Sequence, residues 1–273
     1  MSLQISEFFP LKEAFIIELK RRAAYVSSFW LKMVFPPLAQ VAVAYFVWDA
    51  IYSSKGGAII SGYTFPQMIL YYLLASCAYQ LARPDMGSIL MEIYEGTLTK
   101  FLVYPTSFFR FKFSGHVAHM SLVLLELIVG LFVFSLFFDI RQAMVFSFEN
   151  IIGALLALGV AGFLFFIMMA CLELLSFWLE SAWALCIMLE FVVNLFGGKM
   201  LPLDLFPSWL QSLNQYLPFR YAIAFPVEIL QGKVTSMEMF YGFGIAGIWC
   251  LILTYTAHFI WNRGSYQYSG TGM

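Results

Sequence analysis

Charge is what this sequence has least of. Of 273 residues, 15 are Lys or Arg and 16 are Asp or Glu, 11% in all. A soluble domain carries roughly 25%, so too little polar surface is present to wrap a water-soluble globule. The formal net charge of −1 gives no sign of a partner nucleic acid or of a polybasic anchor to anionic lipid. Cysteine is scarce. Cys77, Cys171, Cys186 and Cys250 all fall inside apolar runs, in no zinc or disulfide spacing, and read as packing residues. No phosphate-binding loop is present: Gly198-Lys199 is followed by Met200 and Gly232-Lys233 by Val234, neither by Ser or Thr. If ATP is used, another chain is expected to bind it. Glu7, Lys12, Glu13 and Glu18 break any early apolar core, so no signal peptide is expected, and Ser2 excludes myristoylation.

Apolar residues fill the space that charge leaves. They make up 62% of the chain, with 30 Phe and 15 Tyr, and mean hydropathy is +0.82. A helix needs about 20 mostly apolar residues to cross the hydrocarbon core. Six runs qualify, at 30–52, 65–82, 116–138, 150–175, 178–196 and 241–261, the second and fifth being short. Residues 10–28 differ. Leu11, Phe15, Leu19, Ala23 and Val26 recur at helical spacing while Lys12, Glu13, Lys20 and Arg21 take other faces, which predicts an amphipathic helix in the membrane interface. The expected fold is therefore an all-α integral membrane protein, a single domain over 1–273 with six transmembrane helices.

Basic residues orient it. With the N-terminus inside, Lys12, Lys20, Arg21, Arg22, Lys32, Arg83, Lys100, Arg110, Lys112 and Arg263 are cytoplasmic. Lys55, Arg141, Lys199, Arg220 and Lys233 are then outside. Ten against five favours both termini inside. Two connections exceed simple turns. Residues 83–115 form a cytoplasmic loop in which Ile89, Leu90 and Ile93 line one face of a short helix, Gly96 ends it and Thr97/Thr99 start another turn. Residues 197–233 are apolar but carry Pro202, Pro207, Pro218 and Pro226, too many for a straight span. They are expected to form short helices re-entering the outer leaflet between spans 5 and 6.

Few motifs carry chemistry. Gly242-Phe243-Gly244-Ile245-Ala246-Gly247 fits GxGxxG but lies in an apolar run with no acidic residue after it, so it reads as helix packing. Gly153, Ala157 and Ala161, with Gly162 nearby, predict a close helix contact, within the chain or with a second copy. Glu126 and Glu190 lie inside spans, where a carboxylate costs roughly 2.5–3.5 kcal/mol to insert, so each should face a polar cavity or a neighbouring helix. Glu173 and Glu180 are placed near the inner surface as solvated groups. His116 and His119 mark the start of the third span; a metal site there is the lesser reading. No nucleophile–base pair is recognisable, and the chain is not expected to be an enzyme.

The outer connection also carries a resemblance. Pro202-Leu203, Phe206-Pro207-x-Trp209-Leu210-Gln211 and Leu217-Pro218-Phe219-x-Tyr221 resemble the signature of type-2 ABC exporter permeases. Gly96-x-Leu98 with Leu102 and Pro105 is similar to the inner loop of the six-span subgroup, and Tyr268-Ser269-Gly270-x-Gly272 to its tail. The resemblance implies an exporter half in a bacterial plasma (inner) membrane. Two ATPase subunits, holding ATP and Mg, would dock from the cytoplasm, and this chain would bind no cofactor itself. A second permease, identical or related, would complete the pathway, lined by spans 1, 2 and 5 and surrounded by lipid. Met91, Glu92, Tyr94, Gly96, Leu98 and Thr99 would couple to the ATPases. Pro202, Leu203, Phe206, Pro207, Trp209, Leu210, Pro218 and Tyr221 would form an outer gate. The competing expectations are an ion-driven secondary transporter, a lipid-modifying membrane enzyme and a scaffold.

Overall fold

The computed structural model describes residues 12–13, 15–20, 26–54, 56, 59–103, 107–137 and 147–268, without the side chains of 26–34, 102, 103, 126 and 137. Among the described residues every regular element is helical, and the β pairing is one isolated bridge between Ile60 and Tyr63. The first part of the chain gives α1 (Val26–Ser54), α2 (Phe65–Ala82), α3 (Leu90–Tyr94), α4 (Thr99–Val103) and α5 (Phe108–Phe137). After it come α6 (Phe148–Glu173), continued by a 3-10 turn to Phe177, and α7 (Trp183–Phe196). The last part gives α8 (Ser208–Asn214), α9 (Pro218–Ala222), α10 (Ala224–Leu230) and α11 (Ser236–Ser265). Helices thus occupy all six apolar runs. The stretches Phe108–Leu136, Phe148–Phe177 and Ser236–Ser265 are each long and apolar enough to cross a membrane.

Two expected boundaries move, for identifiable reasons. The fifth run was expected to span from 178, but helix begins at Trp183. The Tyr94 hydroxyl holds the preceding stretch open, donating to the Leu179 carbonyl (3.1 Å) and accepting from the Ala182 N–H (3.2 Å). The third helix starts at Phe108 rather than 116. Its first turn is tied to protein, with the Phe108 ring stacked on Trp261 at 5.1 Å. The inner loop shrinks to 83–107 accordingly. Of the interfacial helix expected over 10–28, residues 12–13 and 15–20 are helical and 26–28 belong to α1; 10, 11, 14 and 21–25 lie outside the described residues.

The core is built on α2 and α6. Every residue from Met68 to Tyr79 is buried, as is every residue from Leu164 to Cys171. Helices apolar on all sides are core helices. α1 and α5 pack on α2, while α9, α10 and α11 pack on α6. Thr64 and Thr235 begin α2 and α11 with capping boxes, the Gln67 and Glu238 side chains returning to the backbone N–H of the cap. Each box satisfies donors that a helix start leaves open.

Small residues decide how closely α6 is approached. In lipid, helices gain little hydrophobic drive from meeting, so van der Waals fit carries the association. A Cβ on Gly153 would sit 2.6 Å from the Met239 sulfur of α11, and one on Gly162 would sit 2.6 Å from the Met120 sulfur of α5. The small-residue contact is therefore made within the chain. Gly242 is closed by the Phe225 ring, whereas Gly244 and Gly247 face open space. Cys77, Cys171 and Cys186 are buried free thiols and Cys250 is half-buried.

Candidate functional site

Residues 84–103 form a folded cap over the end of α6. Its anchor is Glu173, the last residue of that helix and 1% exposed. One carboxylate oxygen accepts from the Gly87 N–H (2.6 Å); the other accepts from Ile89 (2.7 Å) and Leu90 (3.3 Å). A carboxylate at a helix C-terminus is unfavourable against the helix dipole, and these donors offset it. The placement corrects the expectation of a solvated group. Glu180 is exposed as expected. Gly87 takes φ +84°, and a Cβ there would lie 2.5 Å from the Trp183 ring.

A second carboxylate ties the cap together. Glu92 accepts from the Thr97 hydroxyl (2.5 Å), the Lys112 ammonium (3.0 Å) and the Lys100 ammonium (3.1 Å). Lys112 also donates to the Ser88 carbonyl at 2.7 Å. Burial alone would raise the Glu92 pKa, but Thr97, Lys112 and Lys100 outweigh it and hold the carboxyl below its usual range. Gly96 ends α3 with φ +72°, and the Thr99 hydroxyl donates to its carbonyl at 3.0 Å. Ile89, Leu90, Ile93 and Leu98 face inward, while Met91, Glu95, Thr99 and Lys100 face outward. The six residues expected to couple thus share one small cap but divide into two kinds. Met91 and Thr99 are presented; Glu92, Tyr94, Gly96 and Leu98 build the cap. A cavity of about 710 Å³ separates the cap from the N-terminal helical residues, lined by Ile17, Glu18, Met91, Glu92 and Phe111 among others.

The outer set is brought together more loosely. Pro202, Leu203, Pro218 and Tyr221 are buried, Phe206 and Leu210 are half-buried, Pro207 is exposed and Trp209 is 67% exposed. Short helices replace a span, as the prolines required. The Tyr221 hydroxyl donates to the Gln215 carbonyl (2.5 Å) and the Asn214 amide to the Phe196 carbonyl (2.7 Å). Arg220 pairs with Glu228 at 2.6 Å and Lys233 with Asp204 at 3.0 Å. Both pairs border a cavity of about 410 Å³.

Between the two lies a turn that sequence reasoning missed. After α7 the backbone leaves helical geometry, and three consecutive carbonyls are held by side chains of α1 and α2. The Tyr71 hydroxyl donates to Gly198 (2.7 Å), the Gln40 amide to Lys199 (3.0 Å) and the Tyr72 hydroxyl to Met200 (3.3 Å). The Lys199 ammonium lies 3.7 Å from the centroid of the Tyr79 ring. Glu190 pairs with Arg83 at 2.5 Å, which meets the expectation of a neighbouring helix. The Glu126 side chain lies outside the described residues. His116 is buried against the Phe166 ring and His119 meets the Gln80 carbonyl at 3.0 Å.

The sequence model of one family, described as ABC-2 family transporter protein, matches residues 38–272. The chain belongs to the ABC-2 transporter family. No curated protein matches it. Membership and the apolar helices make it an integral membrane protein, and the family's usual association is with ABC ATPase subunits. In an ABC-2 chain the cap, the proline-broken connection and the clamped turn are the parts that an ordinary bundle of spans would not need. Glu173 and Lys199 escaped the sequence because neither has a local signal. Each is placed by a segment about 80 or more residues away, at Gly87–Leu90 and at Tyr71–Tyr79.

Proposed function

We propose that this chain is the permease subunit of an ATP-driven exporter, with six spans, both termini cytoplasmic and hydrolysis on separate ATPase subunits. Two ATPases dock on the inner side, and a second permease, identical or related, completes the pathway. The observation that carries the reading is the cap at 84–103. A loop needed only to connect two spans has no use for two carboxylate anchors and a buried underside. A surface that must transmit force has to be rigid, and the cap presents Met91, Glu95, Thr99 and Lys100 on such a base. ATPase closure then favours one permease conformation through differential contact there. The turn at 197–200 and the helices α8 to α10 form the outer closure, with Trp209 on its exposed side.

Orientation rests on the same residues as before. Ten basic residues inside against five outside favour inner termini. An ion-driven transporter is the second reading, favoured by one feature, the interruption after α7, since such carriers use broken helices.

The test is a double replacement of Glu92 and Gly96, with Gly96 taken to Ala and to a bulkier residue separately. Stimulated ATP hydrolysis should fall while membrane insertion is normal. Unchanged stimulation would remove the cap as the coupling element.

A further inference from the structure

α7 is fastened at its two ends and packed lightly between them. Of its 14 residues, Cys186 and Val193 are the buried ones. Ile187, Met188 and Phe191 are each more than half exposed. α6, which precedes it through the 3-10 turn, is the opposite: every residue from Leu164 to Cys171 is buried. Dense packing of that kind resists displacement. An element with few buried apolar contacts is the one that moves as a separate unit.

The first end belongs to the cap. The Tyr94 hydroxyl donates to the Leu179 carbonyl (3.1 Å) and accepts from the Ala182 N–H (3.2 Å), bridging the break just before α7. Gly87 lies so close to the ring of Trp183, the first residue of α7, that a Cβ there would come within 2.5 Å of it. The other end belongs to the proline-broken stretch. The Asn214 side chain of α8 donates to the carbonyl of Phe196, the last residue of α7, at 2.7 Å. A Cβ on Gly197 would lie 2.9 Å from the Ile223 side chain and 3.0 Å from the Phe219 carbonyl of α9. Fourteen residues put about 21 Å of helix between the two attachments. A helix is a rigid element, so a shift at one end reaches the other. Midway, Glu190 ties α7 to Arg83 at 2.5 Å.

We propose that α7 moves as one unit and carries displacement of the cap to α8 and α9, with Tyr94 as the positioning residue that fastens the cap to it. This rests on the permease reading and names the path by which ATPase contact reaches the proline-broken helices. The Tyr94 hydroxyl then serves α7 rather than the ATPase surface.

Hydrogen exchange on the purified full-length chain in detergent tests the path with no partner present. Tyr94→Phe removes the hydroxyl and keeps the ring. Exchange should quicken at the Ala182 amide, which loses its acceptor. It should also quicken, by about threefold or more, at the Lys199 and Met200 amides, which donate to the Asn194 carbonyl at 3.1 Å. Amides from Leu164 to Cys171 should be unchanged. Asn214→Ala loosens the far end and should quicken Ala182 in return, because coupling between two sites is reciprocal. A response confined to Ala182 in Tyr94→Phe overturns the inference and leaves Tyr94 a local tie. Equal quickening in α6 overturns it too, since the loosening is then global. If Tyr94→Phe fails to fold, Asn214→Ala decides, and an unmoved Ala182 overturns the path. An unmoved far end removes the path alone; absence of any ATPase partner removes the permease reading instead.

Discussion

Glu173 shows how much one side chain can settle in this protein. Its two oxygens satisfy three backbone donors of the cap. A buried donor left unsatisfied costs about 1–3 kcal/mol. Glu173→Leu should therefore free the amides of Gly87, Ile89 and Leu90, read as faster hydrogen exchange at those positions with α2 and α11 unaffected. Unchanged protection would mean that the cap is held by its apolar underside alone. Glu92 gives a pH test with a definite sign. Its pKa lies below the usual value, so its contribution is fully present above the unfolded value of about 4.3 and is lost as pH falls through the lowered one. Proteolytic cleavage of the cap should rise in acid below that range. In Glu92→Gln the acid-dependent rise should be absent, and cleavage should already be elevated at neutral pH. At this scale the sequence was only half legible. Glu190 announced itself as a carboxylate in a span and found a cation. Glu173 lay at a span end where solvation is the natural expectation, and only the return of Gly87–Leu90 across it makes it a buried anchor.

Among elements, close packing separates helices that look alike in composition. α6 approaches α11 at Gly153 and α5 at Gly162, whereas Gly159 faces open space. Gly162→Leu should lower stability by about 1–3 kcal/mol through overpacking, seen as a lower thermal midpoint in detergent. Gly159→Leu should leave the midpoint within error, and equal effects at the two sites would refute the packing assignment. The outer helices allow a paired test. Arg220→Met leaves Glu228 buried and uncompensated, a change of about 3–5 kcal/mol, while Arg220→Met with Glu228→Leu should recover much of it. The element pattern was readable wherever period and length suffice: α2 begins and ends as the apolar run does, and the prolines of 197–233 broke a span as expected. It was unreadable at 178–182, because Tyr94 breaks that helix from a distant loop.

On the scale of the whole molecule, the proposed function rests more on the parts between the long helices than on those helices themselves. The cap packs over the end of α6, the proline-broken stretch folds into the short helices α8 to α10, and the clamped turn lies against α1 and α2. Composition alone established a membrane protein, and the signature at 202–221 led to the family that the match over 38–272 confirms. Neither composition nor signature placed Lys199 against the Tyr79 ring, since that depends on how the chain turns after α7. The central claim is that this chain transports with power supplied by another. Purification of the chain with its neighbours from its own membrane, followed by reconstitution, tests it most directly. The account predicts a co-purifying ATP-hydrolysing subunit and transport that stops when ATP is withheld. Transport by the isolated chain, with no such subunit and no need for ATP, would contradict it.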